Sequence, residues 1–149
     1  GIMITMVHEL LHIYSMKNTD NNLPAPINEA MTEYFTMKSF KYSEIDSIRM
    51  AGYPLEIQIM MALSEKISEK DLLDIYFSQN EGKLKSLMKK YFPNTNYTDF
   101  LSKMTDIFNS TFHVNGAFNS FDKGLINHEK VKDIRKMLGL NDRKFTVIF

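Results

Sequence analysis

The first sixteen residues are apolar at most positions and are broken on one side by His8, Glu9 and His12. The pattern predicts a largely buried helix over 2–16, with Ile4, Met6, Val7, Leu10, Leu11 and Ile13 inside. The stretch from Lys17 to Asn22 is polar and turn-forming, and Pro24 and Pro26 predict an extended passage after it. Asn28 then offers a cap for a second helix over 29–40. Ser43 followed by Asp46 is a capping signal for a third helix, which Gly52-Tyr53-Pro54 interrupts, and a fourth is expected over 54–67. Ser68 and Asp71 repeat that signal and open a helix through Tyr76 and Phe77. Leu84, Leu87 and Met88 recur at helical spacing among lysines over 81–91, with Pro93 just beyond. Phe100, Leu101, Met104, Ile107 and Phe108 mark one side of a further helix after Thr98. His113 to Lys123 read as an irregular loop, 127–138 as the last helix, and Gly139 as its C-terminal cap. The closing Lys144-Phe145-Thr146-Val147-Ile148-Phe149 is apolar and strand-like. No repeat, low-complexity tract or linker divides the chain, so the fold class expected is mainly α, one mostly helical domain over 1–149.

Composition narrows this picture without adding a function. Hydrophobic residues at 44% and charged residues at 24% are proportions of a soluble globular domain. Eighteen basic residues balance eighteen acidic ones, so no basic footprint points to nucleic acid or an anionic membrane. No apolar run reaches the length of a membrane span, and the start does not resemble a signal peptide. Met31, Met60, Met61, Met88 and Met104 fall at core positions and read as gap-filling. The lysines from Lys83 to Lys90 read as a solvated helix face. Abundant Lys, Asn, Ile, Phe and Tyr suggest an AT-rich bacterial source. Cysteine is absent, so a metal would have to be held by nitrogen and oxygen.

That last point matters because His8-Glu9-Leu10-Leu11-His12 fits H-E-x-x-H. On a helix, residues four apart share a face, so both imidazoles can reach one zinc ion. Glu9 adjoins the first ligand, where its carboxylate can take a proton from zinc-bound water and later pass it to a leaving amine. Two histidines and a glutamate buried without partners would cost several kcal/mol, and a metal gives them a partner. Catalytic zinc usually keeps three protein ligands and one open position, so a third ligand is required. The extended motif that adds Gly and a third His is excluded, because Ser15 and Asn18 occupy those places.

The next helix reads Ile27-Asn28-Glu29-Ala30-Met31-Thr32-Glu33-Tyr34. Here residues 3–36 resemble the gluzincins, the thermolysin and zinc-aminopeptidase type of metallopeptidase, and lie nearest the thermolysin pattern. The resemblance implies that Glu29 ligates zinc, and that Glu33, with Asn28, supports the ligands from behind by hydrogen bonding a ligand histidine. The interval from His12 to Glu29 is slightly short for such proteins and that to Glu33 slightly long, so Glu33 stays open as the ligand. The resemblance also implies an oxyanion donor, Tyr or His, from the region further along. Tyr53, at the Gly-Tyr-Pro break, is the first choice, with His113, Tyr42 and Tyr97 as alternatives, while His128 reads as incidental.

The expectation is therefore a zinc-dependent peptidase acting on a peptide or protein, with zinc-site helices over 1–40, a helical bundle over 41–149, and an extracytoplasmic location in a bacterium. Because the motif helix starts almost at residue 1, the chain reads as the C-terminal part of a longer protein. The N-terminal sheet along which such peptidases bind substrate is then missing, and the piece is expected to bind metal without efficient turnover. The competing expectation is a helical binding or sensing module with a structural or non-catalytic zinc site.

Overall fold

The computed structural model describes residues 1–16, 22–110, 126, 128–143 and 145. Eight helices occupy them: α1 (Ile2–Ser15), α2 (Ala25–Ser39), α3 (Glu44–Met50), α4 (Pro54–Leu63), α5 (Glu69–Ser78), α6 (Glu81–Tyr91), α7 (Tyr97–Phe108) and α8 (Glu129–Met137). No strand is present among the described residues, so the class is mainly α. None of these helices is long and apolar enough to cross a membrane.

Every residue of α4 is buried, from Pro54 to Leu63, as suits a helix with apolar residues on nearly all sides. It is the hub of the fold, packed against α2, α3, α7 and α8. Beside it, α2 is buried over most of its length, including Ile27, Met31 and Met37. Met31, Met60, Met61, Met88 and Met104 are all in the core. The remaining helices wrap the pair: α1 lies on α2 and α5, and α5, α6, α7 and α8 follow each other around the outside.

Helix starts are set largely by side-chain caps. Ser43, Ser68, Asn80 and Asn96 each accept a hydrogen bond from the backbone N–H three residues on, at 2.9–3.2 Å, and each such cap stabilises by about 1 kcal/mol. Gly139 closes α8 at φ +74°, a conformation glycine adopts without a Cβ penalty. Just beyond α5, Gln79 turns left-handed, and its buried side chain accepts from the Leu23 N–H at 3.0 Å and donates to the Tyr76 carbonyl at 2.7 Å. Arg135 of α8, also buried, pairs with Glu65 and donates to the Asn141 carbonyl, tying the C-terminal segment to the end of α4.

Two expectations fail here. The second helix begins at Ala25, with Pro26 inside its first turn and Asn28 within the helix, not capping it. Proline is tolerated there because first-turn N–H groups have no intrahelical acceptor to lose. Second, α1 is not a buried helix: Met6, Leu10 and Ile13 are exposed, Ile2 is 81% and Tyr14 65% exposed, and only Ser15 is fully buried. Its inner side carries Ile4, Leu11, His8 and His12, so apolar composition marks two faces of which the fold covers one. Of the tail, Phe145 rests on the core under Arg143, while 144 and 146–149 lie outside the described residues. The loop expected from His113 to Lys123 also lies outside them.

Candidate metal centre

His8 and His12, one turn apart on α1, point their rings at α2, and the side chains are 12% and 17% exposed. Their Nε2 atoms are 3.0 Å apart. From α2 the Glu29 carboxylate meets both, Oε2 at 3.1 Å from His8 Nε2 and Oε1 at 3.1 Å from His12 Nε2. The carboxylate turns one oxygen to each ring, and one donor atom from each of the three residues lies within 4.8 Å of the others, where a metal could bind them. Zinc–nitrogen bonds of about 2.0–2.1 Å at tetrahedral angles place ligand atoms about 3.3 Å apart, close to the 3.0 Å between the two imidazole nitrogens. Among the described residues no fourth His, Asp or Glu joins the group.

Glu33, one turn beyond Glu29, faces the other side of the His8 ring, with Oε2 3.7 Å from Nδ1. Its side chain is buried, and the Gly52 N–H donates to it. A Cβ on Gly52 would sit 3.5 Å from that carboxylate, an ordinary contact, so the α3–α4 link runs against Glu33 without needing glycine for space. Tyr53 follows, and its ring stacks between those of His8 and Phe108, with centroids 6.2 and 6.0 Å away and planes within 17°. Phe108 is the last residue of α7, so a third part of the chain walls the site.

The electrostatics are those of a negative, half-dry cleft. Burial opposes protonation of His8, but the Glu29 hydrogen bond and the charges of Glu33, Glu29 and Glu9 outweigh it and raise its pKa. Burial likewise favours a neutral Glu29, yet hydrogen bonds from His12 and His8 bring its pKa down to about 2. For Glu33 burial dominates, and with Glu29 and Glu56 it lifts the pKa despite the attraction of His8 and the Gly52 N–H. Tyr53 is pushed up to about 12 by burial and by Glu29, Glu33, Glu56 and Glu9, so its hydroxyl keeps its proton and remains a donor. Glu9 is itself exposed, with its charge felt at His8 and Tyr53.

The structure thus gathers His8, His12, Glu29, Glu33 and Tyr53 in one place. Asn28 contributes differently from the expected support: its side chain accepts from Gln79 at 3.5 Å, and its main-chain carbonyl accepts from the Thr32 hydroxyl at 2.7 Å. Tyr42 stacks on Phe40 at the protein surface, and Tyr97 donates to Glu81 at 2.8 Å, so neither is at the centre. His113 is outside the described residues, and His128 caps α8 by accepting from the Lys130 N–H. Sequence reasoning passed over Thr32, Tyr76, Gly52 and Phe108. Thr32 had a signal, since it stands three residues after Glu29 on the same helix face; Tyr76 and Phe108 had none, because tertiary packing alone delivers them.

No family model matches the chain, and neither a curated protein nor a solved structure is significantly similar to it.

Proposed function

We propose that the chain is a metal-dependent hydrolase. More particularly, it is a zinc peptidase of the gluzincin type. The observation that carries the reading is the convergence of His8 Nε2, His12 Nε2 and the Glu29 carboxylate within 3.0–3.1 Å of one another. The absence of a fourth ligating side chain among the described residues matches a site that keeps one position open for substrate or water. A zinc ion held there would acidify a water and polarise the scissile carbonyl. Glu9 takes the proton of the attacking water and returns it to the leaving amine. The Tyr53 phenol, held protonated, donates to the oxygen that gains charge. The Glu33 carboxylate, 3.7 Å from His8 Nδ1, supports the ring through its charge from the side away from Nε2.

The exposure of Glu9 is the observation that favours a second reading, a helical binding or sensing module whose metal site is structural or non-catalytic. Metal analysis and one substitution separate the two. Wild-type protein is expected to hold one zinc per chain and Glu29→Ala none. Glu9→Gln is expected to keep the zinc and abolish peptide hydrolysis. Hydrolysis that survived Glu9→Gln would remove Glu9 from the mechanism, and a wild type that refused zinc would end the peptidase reading.

A further inference from the structure

His8 has a carboxylate behind it; His12 has a hydroxyl. Thr32 Oγ1 lies 3.4 Å from His12 Nδ1, 2.7 Å from the Tyr76 hydroxyl and 2.7 Å from the Asn28 carbonyl oxygen. A hydroxyl has one proton and two lone pairs, and a carbonyl can only accept. The Thr32 proton therefore goes to Asn28, and its lone pairs are left for two donors, the Tyr76 O–H and the His12 Nδ1–H.

Resting on the metal-centre reading, we propose that Thr32 and Tyr76 are positioning residues for the metal: together they keep a proton on His12 Nδ1, so that Nε2 is the nitrogen given to the ion when it takes the place of the Glu29 hydrogen bond. Both residues are fully buried, so the network is walled from water that could take over its hydrogen bonds. Tyr76 belongs to α5, which packs on both α1 and α2, and Ser15 at the end of α1 bonds the same phenol. The arrangement makes α5 the back wall of the centre. It also gives the two histidines unlike support: the Glu33 carboxylate strengthens His8 as a base, whereas the neutral Thr32 fixes direction without adding charge to a cleft already crowded with carboxylates.

The test reads the tautomer and the affinity separately. In zinc-loaded wild type, imidazole nitrogen shifts should show His12 bound through Nε2 and protonated at Nδ1, with that proton protected from solvent exchange, and Thr32→Val should expose it to exchange. By chelator competition, Thr32→Val should weaken zinc binding by about 10- to 100-fold. Thr32→Ser should restore wild-type affinity and Tyr76→Phe should lose less than Thr32→Val. Tyr76→Phe keeps the shape of the core, so zinc binding weaker than wild type in that variant decides the matter even if Thr32→Val folds poorly. Zinc-binding wild type with His12 protonated at Nε2, or Tyr76→Phe and Thr32→Val that bind zinc as wild type does, would overturn the positioning role alone. Wild type that bound no zinc would overturn the metal-centre reading and the positioning role with it.

Discussion

Glu29 and Glu33 stand one turn apart on α2 and face the same histidine from opposite sides; the proposed centre gives them different tasks, and thermal stability distinguishes them. An ion that binds only the folded state stabilises by about 4.1 kcal/mol when its free concentration is about a thousand times Kd. For a chain of this size about 1 kcal/mol moves Tm by roughly 2–4 °C, so saturating zinc should raise the wild-type Tm by about 10 °C. Glu29→Ala takes away the carboxylate that reaches both imidazoles at 3.1 Å, leaving two ligands, and the zinc-induced rise should fall close to zero. Glu33→Gln only loosens the support of His8, a change of about 10- to 100-fold in affinity. That is about 1.4–2.7 kcal/mol, so roughly half of the rise should survive. Differential scanning fluorimetry with and without zinc, on metal-stripped protein, reads all three. If Glu29→Ala kept the full rise, or if Glu33→Gln lost more than Glu29→Ala, the ligand assignment would be wrong.

Protonation of His8 competes with metal, and its raised pKa means zinc affinity should begin to fall above the ordinary histidine value of 6.5 as the pH drops. In the metal-free protein the sign runs both ways. The His8 contribution is full below 6.5 and is lost as pH rises through its raised pKa, while that of Glu29 is full above 4.5 and is lost as pH falls toward about 2. Denaturant unfolding of the stripped protein should therefore show this pair most stabilising between those values, and a contribution that grew steadily with pH above them would contradict the pairing. Tyr53→Phe preserves the ring stack and should leave zinc affinity unchanged while lowering kcat by about 10²- to 10³-fold, as loss of one oxyanion donor does. Leu10→Lys, on the outer side of α1, should change stability by no more than about 0.5 kcal/mol. Ile27→Ala, in the core, should cost about 2–5 kcal/mol, and equal costs for the two in urea unfolding would refute the orientation of α1.

The helices were legible because their signals are local. Ser43, Ser68 and the glycine at 139 each announce a helix end within a few residues, and the structure uses all three as caps. The placing of His8 and His12 side by side was legible for the same reason, since spacing alone puts them on one face. What could not be read was anything that depended on which surface meets which. The outer residues of α1 are as apolar as its inner ones, and periodicity says nothing of whether a partner covers them. The start of α2 was misplaced because two prolines close together read as extended chain, although a first helical turn accepts proline without loss. Tyr76 reaches Thr32 across forty-four positions, and the Gly52 N–H reaches Glu33 from a different helix junction. Such supports are fixed by packing and leave no trace in spacing.

The lopsided seating of α1 has a mechanical consequence. A helix with one fully buried residue and an outer side open to water is held against its neighbours by a short list of contacts: Ile4 and Leu11 on the core, Ser15 on Tyr76, and what its two histidines touch. Segments with so little buried surface open at a small fraction of the free energy that unfolds the core. An ion gripped at once by α1 and α2 would act as a rivet through that joint, and its binding energy would be spent on holding the first helix down. Metal loading and the rigidity of the N-terminal helix are then one equilibrium, readable as the hydrogen-exchange protection of the α1 amides while α4 exchanges at the same slow rate throughout.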